Sequence, residues 1–139
     1  MQMPDNQYPV EVVRGVPVVT AAEEIDITNA DGLQAALLQA AARGHATLVV
    51  DMARTQFCDT AGIHVLVGAH KRALTEGGQL RLVISSANVL RVFAITGIDR
   101  VIPQFASLDE ALAQISRPTR RPGSGRDPSL AEPSPPPVR

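Results

Sequence analysis

Asp59-Thr60-Ala61-Gly62 is the segment whose residue types most invite chemistry. It stands where a short apolar run passes through a loop into a stretch of helical spacing. At a helix start, Asp or Thr caps the free N–H groups. A hydroxyl at that point is also a natural phosphoacceptor, because orphan N–H groups and the helix dipole accommodate an added phosphate. The phosphate would bring about −1.5 to −2 charges to one spot, enough to break an apolar or acidic interface. Cap and acceptor are compatible roles, and local chemistry leaves both open.

Other chemistries have little support. His45, His64 and His70 are the three histidines. His64 and His70 are six apart on one expected helix and do not face each other. No His or Cys pair has ligand spacing, so no metal is expected. Cys58, between Phe57 and Asp59, reads as a small buried hydrophobe, or as a thiol whose pKa the carboxylate raises. There is no phosphate-cradling glycine loop. Asp26, Asp51 and Asp59 are placed to gather at one sheet end, but no general acid–base partner accompanies them. The expectation is a chain without catalytic residues or cofactor, hence not an enzyme.

The elements that position this segment are legible from pattern. Val10–Val13 and Val16–Val19 flank Arg14-Gly15 and read as a hairpin. Pro17 cannot donate to a ladder, which predicts a free edge or a solvent-facing position there. Thr28-Asn29-Ala30-Asp31 offers a cap with an acid at the third position, and Leu33, Leu37, Ala40 and Ala41 recur at helical spacing until Gly44. Thr47–Met52 is nearly continuous in apolar residues, as in a strand buried on both faces. A second helix follows Gly62, with Ile63, Leu66, Val67, His70 and Leu74 on one side and Gly77-Gly78 at its end. Leu80–Ile84 predicts a further strand. Ser85-Ser86 caps a third helix, with Val89, Leu90, Phe93 and Ala94 on one face and Gly97 closing it. Val101–Pro103 reads as an edge strand. Ser107–Glu110 is a capping box for a last helix through about Ile115.

Strands separated by single helices imply crossover units. The predicted fold class is therefore α/β: a single, mostly parallel sheet with an N-terminal antiparallel hairpin and about four helices. Only four aromatic residues are present, so Val, Leu, Ile and Ala must build the core, with no volume left for an enclosed cofactor pocket.

Composition bounds the rest. The chain has 139 residues, 45% hydrophobic and 19% charged, with a formal net charge of −1. That is globular composition and not that of a nucleic-acid binder. One cysteine excludes an internal disulfide. No apolar run is long enough to cross a bilayer, and Met1–Asp5 lacks the marks of a secretory signal, so a soluble cytoplasmic protein is expected. The charge is uneven: residues 117–139 carry a net +3 and the remainder −4. Seven of the eleven prolines also fall in 117–139. That segment cannot bury enough surface to offset its ordering entropy. The expected organisation is an N-terminal extension over 1–7, a domain over 8–116 and a disordered Pro/Arg-rich tail over 117–139.

Four segments carry a resemblance, in order and spacing, over roughly residues 8–115. Glu24-Ile25-Asp26 resembles a G-E-[IL]-D pattern after a second strand, and Leu48–Met52 resembles a central strand. Phe57-Cys58-Asp59-Thr60-Ala61-Gly62-Ile63 resembles an F-x-D-S-[ST/A]-G-L acceptor loop, and Leu90–Ile98 an L-x-x-x-F-x-[IL]-T-G-[IL] run. The family is that of STAS domains, specifically the anti-sigma factor antagonists of bacterial partner switching. The resemblance implies a STAS fold, a sheet with helices packed on it.

It also implies a role. The unphosphorylated antagonist binds an anti-sigma factor that is a serine/threonine kinase with a histidine-kinase-like ATP fold, and so frees the sigma factor. Phosphorylation reverses binding, and a metal-dependent serine/threonine phosphatase resets the cycle. By position the acceptor is Thr60. Asp26 and Asp59 would shape its pocket, and Thr28, Asn29, Ala61, Gly62, Ile63 and His64 would flank the docking surface. The protein would run as a monomer or weak dimer.

Three positions depart from the pattern: Thr60 for the usual Ser, Glu23 for the Gly of G-E-[IL]-D, and His64 for a common Gly. The threonine methyl restricts χ1. Glu23 adds negative charge, and a protonated His64, one turn on, is spaced to pair with a phosphate on Thr60. The family also admits a permanently docked subunit of a lipid-transporting ABC complex and a stress-signalling scaffold.

Overall fold

The N-terminal hairpin forms as its sequence predicts. Strands β1 (Val10–Val13) and β2 (Val16–Thr20) pair antiparallel, Val10 opposite Val19 and Val13 opposite Val16. Arg14 and Gly15 join them at φ 53° and 81°. Two consecutive positive φ values suit a two-residue turn between right-twisted strands. The structure, a computed structural model, describes residues 8–113 and 115. The expected extension over 1–7 and the Pro/Arg-rich tail over 117–139 lie outside the described residues.

The chain continues through β3 (Glu24–Ile25), α1 (Ala30–Ala41), β4 (Leu48–Met52), β5 (Phe57–Cys58), α2 (Thr60–Thr75), β6 (Leu80–Ile84) and α3 (Ala87–Thr96). A 3-10 turn over Ile98–Arg100, β7 (Gln104–Phe105) and α4 (Leu108–Leu112) complete it. The main sheet runs β1-β2-β4-β6-β7, parallel everywhere except β1–β2. Helices cross between the parallel neighbours, as their connection requires.

Strand alternation divides the core into two layers. Leu48, Val50 and Met52 of β4 and Leu80, Leu82 and Ile84 of β6 join residues of α1, α2 and α3 in the larger cluster. Val49 and Val83 face the other way, with Val16 and Val18, against Ala111 and Leu112 of α4. The continuous apolar run of β4 is thus buried on both faces, as its composition predicts. Arg81 fastens α4 to the sheet. Its Nη1 donates to the carbonyls of Ala111 and Ala113, each at 2.9 Å, and its guanidinium lies 5.3 Å from the Phe105 ring centre.

Several expectations are corrected. The strand bearing Pro17 is interior, between β1 and β4, and its pairing with β4 begins one residue later, at Val18 opposite Val49. The last edge strand is Gln104–Phe105, because Ile98–Arg100 coils into a 3-10 turn that pushes pairing past Pro103. On α2 the buried side is Gly62, Leu66, Ala69, His70 and Ala73; Leu74 is exposed. On α3 only Val89 and Phe93 are buried, while Leu90 and Ala94 face outward. The last helix stops at Leu112, short of Ile115. Beside the main sheet, β3 and β5 form a separate parallel pair too short to show periodicity.

Candidate functional site

The short β3–β5 pair is what positions the Asp59–Gly62 segment. Glu24 lies opposite Phe57 and Ile25 opposite Cys58. The Asp59 N–H then donates to the Ile25 carbonyl at 3.0 Å, and the Gln56 N–H to the Glu23 carbonyl at 2.7 Å. These bonds lash the start of α2 to the loop after β3.

Asp59 is the N-cap of α2. Its backbone is extended, and its Oδ1 accepts the N–H of Ala61 at 2.9 Å and of Gly62 at 3.3 Å. Thr60 is therefore the first helical residue, and it is exposed. This refines the sequence expectation about an anion at the helix start. Two of the free N–H groups are already taken by the Asp59 carboxylate, which leaves less of the helix end open to a phosphate.

Gly62 brings the helix close. A Cβ built there would stand 2.7 Å from both Cys58 Sγ and Ile25 Cγ2. Ala61 and Ile63 are half-buried, and His64 is exposed one turn beyond Thr60. Cys58 is 3% exposed, and burial, with the Asp59 charge second, pushes its thiol pKa up to about 12. The expectation of an inert buried thiol fits these surroundings.

The neighbouring loop is tied by its own polar side chains. The Asp26 N–H donates to Asn29 Oδ1 at 2.9 Å, and Asn29 Nδ2 donates to the Glu24 carbonyl at 2.8 Å. Asp26 Oδ1 accepts both the Thr28 N–H and the Thr28 hydroxyl. Those bonds, the hydroxyl's foremost, hold the Asp26 carboxyl below its ordinary pKa. Asn29 occupies the cap position of α1 but makes no side-chain cap, because its amide is turned back to brace the loop. The cap expected of Thr28-Asn29 is therefore replaced by an Asx-type turn around Asp26.

The structure thus brings Asp59, Ala61 and Gly62 against the segment that carries Asp26, Thr28 and Asn29. Asp51 remains on β4, where its Oδ1 accepts the Ala53 N–H at 3.0 Å. Among the described residues no group of three His, Cys, Asp or Glu side chains is placed to hold a metal ion.

Two apolar side chains on the segments that flank Thr60 are exposed, which the sequence periodicity does not show. Ile27, between Asp26 and Thr28, is 79% exposed, and Phe57 is 47% exposed. An isoleucine isolated among turn residues is the signal that marks the first. Phe57 gives none, since a short buried strand has the same composition. Tyr8 is a further surprise. It is buried, its hydroxyl has no hydrogen-bond partner among the described residues, and burial, then the charges of Cys58 and Asp26, raises its pKa to about 12.

The chain belongs to the STAS domain family, whose match spans residues 7–111. It is 34% identical over 84 residues to the anti-sigma-B factor antagonist of Bacillus subtilis, covering 60% of this chain and 76% of that one. The crystal structure of an anti-sigma factor antagonist from Mycobacterium paratuberculosis matches with a TM-score of 0.70 at 30% identity, over 76% of this chain and 89% of that one. The Bacillus cell fate determinant SpoIIAA in its phosphorylated form shares the fold, with a TM-score of 0.59 at 22% identity over 76% of this chain and 96% of that one. No helix among the described residues is long and apolar enough to cross a membrane.

Proposed function

We propose that this chain is an anti-sigma factor antagonist of bacterial partner switching, acting in the cytoplasm, whose binding to its anti-sigma factor is reversed by phosphorylation of Thr60. The observation that carries this reading is the setting of Thr60: an exposed hydroxyl at the first position of α2, on a helix start fixed by Asp59 and by the β3–β5 pair. Family membership and relatives named as antagonists support it.

The partner in this reading is an anti-sigma factor that is also a serine/threonine kinase. It docks on the surface made by Asp26, Thr28, Asn29 and Asp59 through His64, with the exposed Ile27 and Phe57 as apolar contacts. Desolvated apolar contacts make the interface sensitive to charge. Because Asp59 already accepts the Ala61 and Gly62 N–H groups, a phosphate on Thr60 projects toward the partner rather than folding into the helix end. Uncompensated charge at such a surface costs several kcal/mol, roughly a hundredfold or more in affinity. A metal-dependent phosphatase removes the phosphate. The chain itself then needs no catalytic residue or cofactor.

Phosphopeptide mapping of the protein from its native cells tests the reading, together with retention of the co-purifying kinase in the presence of ATP. We expect one phosphate on the peptide containing Thr60, release of the wild-type complex by ATP, and persistence of the Thr60→Ala complex. Release of Thr60→Ala as readily as wild type would overturn the proposal.

A further inference from the structure

The far end of α2 borders a concavity. A cleft of about 310 Å³ opens between the C-terminal ends of α1 and α2. Its floor is apolar: Leu37, Leu48, Ala69 and Ala73 line it, and all four are buried. The cleft exists because small side chains stand where the two helices would otherwise fill the space. The space is an open cleft, not an enclosed pocket.

Its mouth is charged. Arg72 and Glu76 both line it, with His45 on the loop beyond α1. Arg72 and Glu76 are four residues apart, the spacing at which opposite charges on a helix meet. They are not paired here, since the ion pair found among the described residues is Arg14–Asp109. Nor do the helix ends offer many free acceptors. The Leu38, Ala40 and Ala41 carbonyls accept the N–H groups of Ala42, Arg43 and Gly44, and those of Ala73 and Leu74 accept from residues 76–78. The Arg72 carbonyl accepts the Thr75 hydroxyl. Polar recognition at the mouth therefore falls to side chains of both signs.

We propose that this cleft binds a small zwitterion with an apolar body, of the chemical class of an aliphatic or aromatic amino acid. A plain carboxylate gains Arg72 but meets Glu76, and a plain amine does the reverse. A molecule carrying both charges satisfies both, and its apolar body covers the floor. The volume lies at the low end for ligand sites, which matches a small body rather than a nucleotide. Ala69, Arg72 and Ala73 lie about 14–20 Å along α2 from Thr60, so occupancy leaves the Thr60 face free.

An amide NMR titration of the full chain tests this, with four probes. L-leucine and L-phenylalanine carry both charges; 4-methylpentanoate and isoamylamine keep the leucine body with one charge each. We expect saturable shifts confined to residues 37–48 and 69–78 with at least one amino acid, and binding about tenfold weaker for either single-charge probe. Arg72→Gln and Glu76→Gln, both at exposed positions, should each weaken amino-acid binding several-fold while the rest of the spectrum is unchanged. Absence of saturable shifts with both amino acids, equal binding of all four probes, or indifference to both substitutions would overturn the proposal.

Discussion

Gly62 and Ile25 touch only because Gly62 has no side chain. A Cβ on Gly62 would lie 2.7 Å from Ile25 Cγ2, and as close to Cys58 Sγ. Ile25 is fully buried and β-branched, so it cannot swing aside by turning a flexible end. The contact is how the main chain at Thr60 is held against the Asp26 loop.

Replacing Gly62 with Ala should therefore destabilise the fold by ~1–3 kcal/mol, the cost of overpacking. The gain in helix propensity, about 1 kcal/mol at most, only partly offsets it. Gly68, in the same helix, has nothing within 4 Å of a built Cβ, and Gly68→Ala should stabilise by ~0.5–1 kcal/mol. Urea denaturation midpoints of the two variants should move in opposite directions. Stabilisation by both would show that helix propensity, not the Ile25 contact, governs both sites.

The thiol beneath this contact gives a second readout. With its pKa pushed up to about 12 and 3% exposure, Cys58 has almost no thiolate at neutral pH and little access. A disulfide reagent such as DTNB should react with the native protein orders of magnitude more slowly than with the urea-unfolded chain. Rapid native labelling would mean that α2 lifts away from β5.

His70 makes stability depend on pH. It is 4% exposed, and its Nδ1 accepts the Leu80 N–H at 3.2 Å, which places the proton of the neutral ring on Nε2. Burial lowers its pKa, while a backbone hydrogen bond at Val101 pulls the other way. The unfolded chain takes up a proton near pH 6.5 and the folded chain only at lower pH. The contribution is thus complete above that value and is lost as pH falls toward the folded pKa, at no more than about 1.4 kcal/mol per pH unit. Denaturation of wild type and His70→Gln at about pH 7.5 and about pH 5.5 isolates it, because the glutamine does not titrate in this window. The stability difference between them should shrink at the lower pH; a constant difference would refute the assignment.

The two central strands of the main sheet were legible because each obeys one rule. Leu48–Met52 is too apolar to face water on either side, and Leu80–Ile84 is nearly so. Ser86, Asp59 and Gly97 announce helix boundaries through local hydrogen bonding or positive φ, and each does so in the structure. The site was legible as a segment but not as a surface. Glu24–Ile25 and Phe57–Cys58 are two residues each, below the length at which alternation shows. Asn29 has cap chemistry, yet its amide turns back to the Asp26 N–H and the Glu24 carbonyl, a local alternative that composition does not separate from a cap. Leu74 and Leu90 fall on the expected apolar stripes, yet the buried faces run through Ala69, Ala73 and Val89 and leave them outside.

The hydrogen bonds around Thr60 predict where a phosphate there will be felt. Asp59 is bonded to Ile25, Gln56 to Glu23, and Asn29 closes the loop onto Glu24 and Asp26. This web spans the two segments beside Thr60. Helix α4 packs on the opposite face of the main sheet, against Val49 and Val83, with no part in it. The helix start is already capped, so a phosphate on Thr60 requires no rearrangement of α2. Amide shift changes between unmodified and Thr60-phosphorylated protein should therefore concentrate in residues 24–30 and 57–66. Those of residues 108–113 should stay near zero. Comparable changes in α4 would instead require a movement of the sheet, and the local account of release would fail.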